Sequence, residues 1–224
     1  MRILALHGVP TSPRLWERLS LPPGWLLDRP TIPGLGVGNT PDDWNLVDTA
    51  EELRPAAEKA DVVVGHDLGG VLAAMVARPG QRVVLSGTAL GPYWIYARIS
   101  AGPVLWRFFY KRHAGKLFLR RGCMPEHADD LVEAFGDHGD EWPMRMRRIA
   151  KAMSPPPGLA QRLRKNRVAL VWGAKDPWYP RWQANLLAKA TGGRLHLVDA
   201  GHFAPWEAPT GFSEVLRAVG RQRG

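Results

Sequence analysis

The chain has one cysteine, Cys123, in 224 residues. That excludes an intramolecular disulfide framework, and no Cys/His spacing suggests a zinc site. It also lacks an apolar run of membrane-spanning length. The first strand-like run, Arg2 to Leu6, is followed at once by His7-Gly8 and is too short for a signal-peptide core or a bilayer span, so a cytoplasmic protein with no membrane contact is expected. Acidic residues are in deficit, 21 against 30 lysines and arginines, giving a net charge of +9. A basic surface attracts phosphate whatever the fold. The arginines nevertheless follow no nucleic-acid-binding motif, and no nucleic-acid partner is expected. The charge reads as a solvated surface, or as one that steers an anionic substrate. Internal repeats and low-complexity segments are absent.

What is present is an alternation of short apolar runs with helix-forming segments. Strands are expected at Arg2 to Leu6, Trp25 to Arg29, Val62 to Val64, Val83 to Ser86, Val168 to Trp172 and Leu195 to Val198. Helices are expected at Asp48 to Ala60, opening at an Asp cap, and at Gly70 to Ala77, Arg181 to Thr191 and Thr210 to Val219. This pattern implies an α/β fold with a mostly parallel sheet of about six strands and helices on both faces. Between Gly91 and Arg167 the pattern becomes a longer helical stretch rich in tryptophan, methionine and arginine, with no comparable strand run. Residues 1–90 and 168–224 therefore read as the core and residues 91–167 as an inserted helical cap. Pro155-Pro156-Pro157-Gly158 returns the chain to the core.

The run Val62-Val63-Val64-Gly65-His66-Asp67-Leu68-Gly69-Gly70-Val71 is a buried-strand signal ending in Gly-x-Asp-x-Gly. Its glycines allow a tight strand-to-helix turn that holds a carboxylate exposed at the tip, beside the amides that open the next helix. Two later strand runs are each followed by a polar loop residue, Asp176 before Pro177 and His202 after Gly201. In open α/β sheets ligands bind beyond the carboxyl ends of the strands, where His7, Asp67, Asp176 and His202 would all fall. His7 and His66 read as structural residues that shape the neighbouring loops. Gly34-Leu35-Gly36-Val37-Gly38 lacks the spacing of a dinucleotide-binding turn.

The order nucleophile, acid, histidine, together with His7-Gly8-Val9-Pro10 after the first strand, resembles the α/β-hydrolase superfamily over nearly the whole chain. The aspartate at the elbow resembles its aspartate-nucleophile branch: epoxide hydrolases, haloalkane dehalogenases and fluoroacetate dehalogenases. His7-Gly8-Val9-Pro10 with Trp16 is most similar to epoxide hydrolases. The family's leading strands are missing from this trace. Leu68 stands where haloalkane dehalogenases place a halide-binding tryptophan, and Leu68 and Val71 where fluoroacetate dehalogenases place arginines.

The resemblance implies a hydrolase in which Asp67 attacks carbon to form a covalent ester, most simply on an epoxide, and His202, oriented by Asp176, activates water to release it. The amides of Val9 and Leu68 would form the oxyanion hole. Tyr93, Trp94, Tyr96, Trp106 and Trp178 are the substrate-binding candidates, from their cap or loop positions. The expected partner is a small-molecule substrate, bound by a monomer or homodimer without cofactor or metal. The alternatives are a haloalkane dehalogenase or esterase-like hydrolase, and a lyase, cyclase or small-molecule binder on the same fold.

Overall fold

The computed structural model describes residues 1–35, 40–90, 102, 114–137 and 142–221. The sheet is built from β1 (Arg2–Leu6), β2 (Leu26–Asp28), β3 (Val62–His66), β4 (Arg82–Ser86), β5 (Arg167–Gly173) and β6 (Arg194–Val198). Their order is β2-β1-β3-β4-β5-β6, and every neighbouring pair is parallel. The six expected strands are all there, within a few residues of their expected ends.

Strands covered on both faces must be apolar on both, and they are. In β1, Leu4 and Leu6 enter one core cluster while Ile3 and Ala5 enter the other; in β3, Val63 opposes Val62 and Val64 in the same way. The first cluster is completed by α1 (Leu46–Lys59), α2 (Leu68–Val76) and α7 (Arg181–Thr191). The second is completed by α9 (Pro209–Arg221), whose Phe212 meets Trp16 edge to face at 5.9 Å. All nine residues of α2 are buried, as suits a helix that is apolar all round.

The helix expected from Asp48 starts two residues earlier, at Leu46. Its cap is Asn45, whose Oδ1 accepts from the Val47 and Asp48 amides at 3.0 and 2.9 Å. Asp48 sits instead in the first turn, where its charge complements the exposed amides.

Between β4 and β5 the described residues form α3 (Ala114–Gly122), α4 (Ala128–Phe135), α5 (Trp142–Ala152) and the short α6 (Leu159–Arg162). Leu119, Leu131 and Phe135 extend one core cluster, and Ile149 and Leu159 the other. The helices of this segment are thus anchored in both halves of the core. Among the described residues no helix is long and apolar enough to cross a membrane.

The turn from β3 into α2 is packed against the end of β1. A Cβ added at Gly69 would fall on the carbonyl oxygens of Leu6 and His7, and one at Gly65 on the backbone of Gly69. Backbone cannot yield as a flexible side chain does. Gly69→Ala is therefore expected to destabilise the fold by at least about 2 kcal/mol, measured as a lower urea midpoint at unchanged slope.

Candidate active site

Asp67 stands at the tip of that turn with φ 52° and ψ −121°, the only non-glycine residue with positive φ among the described residues. Such a conformation costs on the order of 1–3 kcal/mol and persists only where its surroundings impose it. Here the Asp67 amide donates to the Ser86 carbonyl at 3.0 Å. Its carbonyl accepts from Gly70 N–H at 3.0 Å and from the Thr88 hydroxyl at 2.6 Å. The elbow is thereby tied to the end of β4 as well as to its own helix.

The carboxylate is addressed by backbone. Val9 N–H donates to Asp67 Oδ2 at 3.0 Å. Gly8 is needed for this approach, because a Cβ there would fall on the Asp67 side chain. Burial raises the Asp67 pKa, while His202 and the Leu68 and Val9 amides pull it back. Asp67 nevertheless remains partly accessible.

His7 holds the Val9 loop in place. Its Nδ1 lies 3.0 Å from the Gly8 carbonyl, and its Nε2 lies 3.4 Å from the Ile32 amide. The carbonyl can only accept and the amide can only donate, so the proton sits on Nδ1 and the ring is neutral. Burial lowers its pKa to about 4. His66, fully buried against His202 with ring centroids 4.7 Å apart, is pushed well below the ordinary value by burial and by that neighbour.

Asp176 uses both carboxylate oxygens. Oδ1 accepts from the Trp178 and Tyr179 amides, each at 2.9 Å, which fixes the loop. Oδ2 accepts from His202 Nδ1 at 3.0 Å. His202 is fully buried, and its Nε2 has no hydrogen-bond partner among the described residues. Burial opposes its charged form, but Asp176, and then Asp67, raise its pKa above the ordinary value. The loops after β1, β3, β5 and β6 thus bring Val9, Asp67, Asp176 and His202 to one end of the sheet.

Trp178 stacks on Phe118 of α3, with centroids 4.7 Å apart and planes 2° apart, and Phe118 stands perpendicular to His202 at 6.1 Å. Tyr93, Trp94, Tyr96 and Trp106 lie outside the described residues. Two residues at the site were missed in the sequence. Tyr179 stacks on the His202 ring at 5.4 Å; its place three residues after Asp176 is the signal that could have found it. Glu207, on α8 (Ala204–Glu207), is buried. Its Oε2 accepts from the Met124 and Gly201 amides at 2.7 and 2.9 Å and its Oε1 from Phe203 at 2.9 Å, joining the His202 loop to the segment between β4 and β5. An isolated glutamate carries no sequence signal of that role. Among the described residues no group of three or more His, Cys, Asp or Glu side chains is placed to hold a metal ion.

The model of the alpha/beta hydrolase family matches residues 3–215, and the chain belongs to that family. Among solved structures it is similar to a thermophilic esterase from Thermogutta terrifontis, with TM-score 0.77 and 20% identity over 99% of this chain and 89% of the esterase. It is also similar to the enol-lactonase from Burkholderia xenovorans LB400, with TM-score 0.74 and 16% identity over 99% and 91% of the two chains. An epoxide hydrolase from metagenomes of hot environments aligns with TM-score 0.65 and 18% identity, again over 99% and 91%. At these identities the likeness is one of fold. No curated protein matches the chain.

The neutral His7 makes stability depend on pH with a definite sign. Its folded pKa of about 4 lies below the reference 6.5, so its contribution is complete above pH 6.5 and is lost as pH falls toward 4. The full loss is about 3 kcal/mol. His66 adds a loss of the same sign, so the diagnostic is a difference. Urea unfolding of His7→Gln across this window is expected to show a shallower pH slope than the natural chain, by up to about one proton.

Proposed function

We propose that the protein hydrolyses an epoxide through a covalent ester on Asp67, with His202 as the base of the second step and Asp176 as its orienting acid. The observation that carries this reading is the hydrogen bond from Val9 N–H to Asp67 Oδ2. Where a side-chain hydroxyl is the nucleophile, oxyanion-hole amides await an oxygen of the substrate. Here the Val9 amide engages the side chain itself. When Asp67 becomes an ester, the Val9 and Leu68 amides stand at its carbonyl oxygen, which gains negative charge during hydrolysis.

The chemistry follows in two steps. A carboxylate oxygen attacks a strained epoxide carbon, opening the ring and leaving an alkyl ester on Asp67. That step needs no base. His202, with its proton held on Nδ1 by Asp176, then accepts a water proton at Nε2 as the oxygen attacks the ester carbonyl. Collapse releases a diol and restores the carboxylate. Both polar oxygens in the diol are accounted for, one from the epoxide and one from Asp67.

The absence of a tryptophan or arginine after Asp67 supports an epoxide over a halide or a fluoroacetate-like anion, since Leu68 and Val71 offer neither a halide donor nor a carboxylate partner. In this reading residues 91–167 form the cap. The bond from His202 N–H to the Gly122 carbonyl, at 2.6 Å, and the Phe118–Trp178 stack support that role, and the aromatic surface suits an apolar substituent on the epoxide.

Asp67→Ala is expected to abolish turnover. His202→Gln is expected to lower it by at least about 100-fold while the ester accumulates, visible by intact-protein mass spectrometry as a mass increase equal to the substrate. Full activity in the first variant, or no adduct in the second, contradicts the scheme.

A further inference from the structure

Epoxide opening leaves negative charge on oxygen, and that oxygen needs a proton in the first step. We propose that Tyr179, on the loop that carries Asp176, is the residue that donates it. The assignment rests on the covalent-ester reading above and adds to it the group that makes an oxygen leaving atom acceptable. It places the donor in the core, outside the inserted segment that contains Tyr93 and Tyr96.

The geometry points to this residue through its fixed position. Tyr179 N–H donates to Asp176 Oδ1 at 2.9 Å, and its carbonyl accepts from Trp172 Nε1 at 2.7 Å. The backbone is thus pinned on both sides. Its ring lies 27° from the plane of the His202 ring with centroids 5.4 Å apart, and 89° from Trp172 at 6.4 Å. Two aromatic neighbours and two backbone bonds leave the phenol little freedom. Nothing among the described residues hydrogen-bonds its hydroxyl, and that oxygen is not one of the enclosed unpartnered atoms of the interior. Tyr179 is half-buried beside His202, and its hydroxyl has no partner among the described residues to hold its proton.

The surrounding charges suit a donor. Burial raises the phenol pKa strongly, and the carboxylates of Asp67 and Asp176 raise it further, so the proton is retained at neutral pH. Asp67 loses its charge as it becomes an ester. The repulsion it exerts on a phenolate therefore vanishes as the alkoxide develops. The proton balance closes over one cycle. In the first step the Asp67 oxygen–carbon bond forms, the epoxide carbon–oxygen bond breaks and the phenol proton passes to that oxygen, leaving a phenolate. In the second step His202 takes a proton from water and returns it to the departing alcohol oxygen. The carboxylic acid so formed on Asp67 then gives its proton back to Tyr179.

The test compares His202→Gln with the double variant His202→Gln/Tyr179→Phe, following adduct formation with styrene oxide and cyclohexene oxide by rapid quench and intact mass. Loss of the donor is expected to slow adduct formation by at least about 100-fold. Fluorotyrosine at the same position, which keeps ring and hydroxyl, is expected to hold the rate within about threefold of His202→Gln. Equal rates with tyrosine and phenylalanine overturn the assignment. So does a loss with fluorotyrosine as large as with phenylalanine, which would mark a packing role. Absence of adduct in His202→Gln itself removes the covalent-ester reading, and this inference with it.

Discussion

The hydrogen bond from Val9 to Asp67 joins residues 58 positions apart, and the rest of the site is arranged around it. It requires the elbow to hold Asp67 at positive φ, and this in turn requires glycine at 65 and 69, where the turn touches its own helix and the end of β1. It also requires the loop after β1 to come within reach. Gly8 permits that approach, and neutral His7 fixes it through one donor and one acceptor bond. Local strain at Asp67 is thus sustained by its bonds to Ser86, Gly70 and Thr88 and by the close backbone packing at Gly65 and Gly69, as expected for a functional conformation that surrounding structure must impose.

A second set of constraints holds the histidine. Asp176 bonds His202 through one oxygen and its own loop through the other, so orientation of the ring and shape of the loop are one feature. Glu207 does the same for the loop that carries His202, gathering the amides of Met124, Gly201 and Phe203. A buried carboxylate costs desolvation, and burial raises the Glu207 pKa; three backbone donors offset that cost. The position of His202 consequently depends on the segment between β4 and β5 as well as on the sheet.

The sheet was readable from sequence because strands buried on both faces are unbroken apolar runs, and β1, β3 and β5 are such runs bounded by turn residues. The residues of the loop constellation were readable because glycines, a proline and the order of Asp67, Asp176 and His202 leave local marks. The start of α1 was not, since Asn45 and Asp48 are both competent caps and only the backbone distinguishes them. Tyr179 and Glu207 escaped for a different reason. Tyr179 is marked only by its place three residues after Asp176, and its contact with His202 is made in the fold; Glu207 gathers the amide of the distant Met124 along with two nearby ones, for which a single glutamate provides no period or spacing. The segment from 91 to 167 read as a longer helical stretch without a strand run; its described part forms short helices whose residues enter both core clusters.

In the covalent mechanism Asp67 supplies an oxygen atom to the product. A single turnover of an epoxide in water enriched in heavy oxygen tests it directly, with enzyme in excess over substrate. A covalent ester on Asp67 yields a first-turnover diol free of label, with the label appearing in the peptide that contains Asp67. A labelled diol from the first turnover, with an unlabelled Asp67 peptide, would mean that water attacks the substrate directly and would contradict the covalent mechanism.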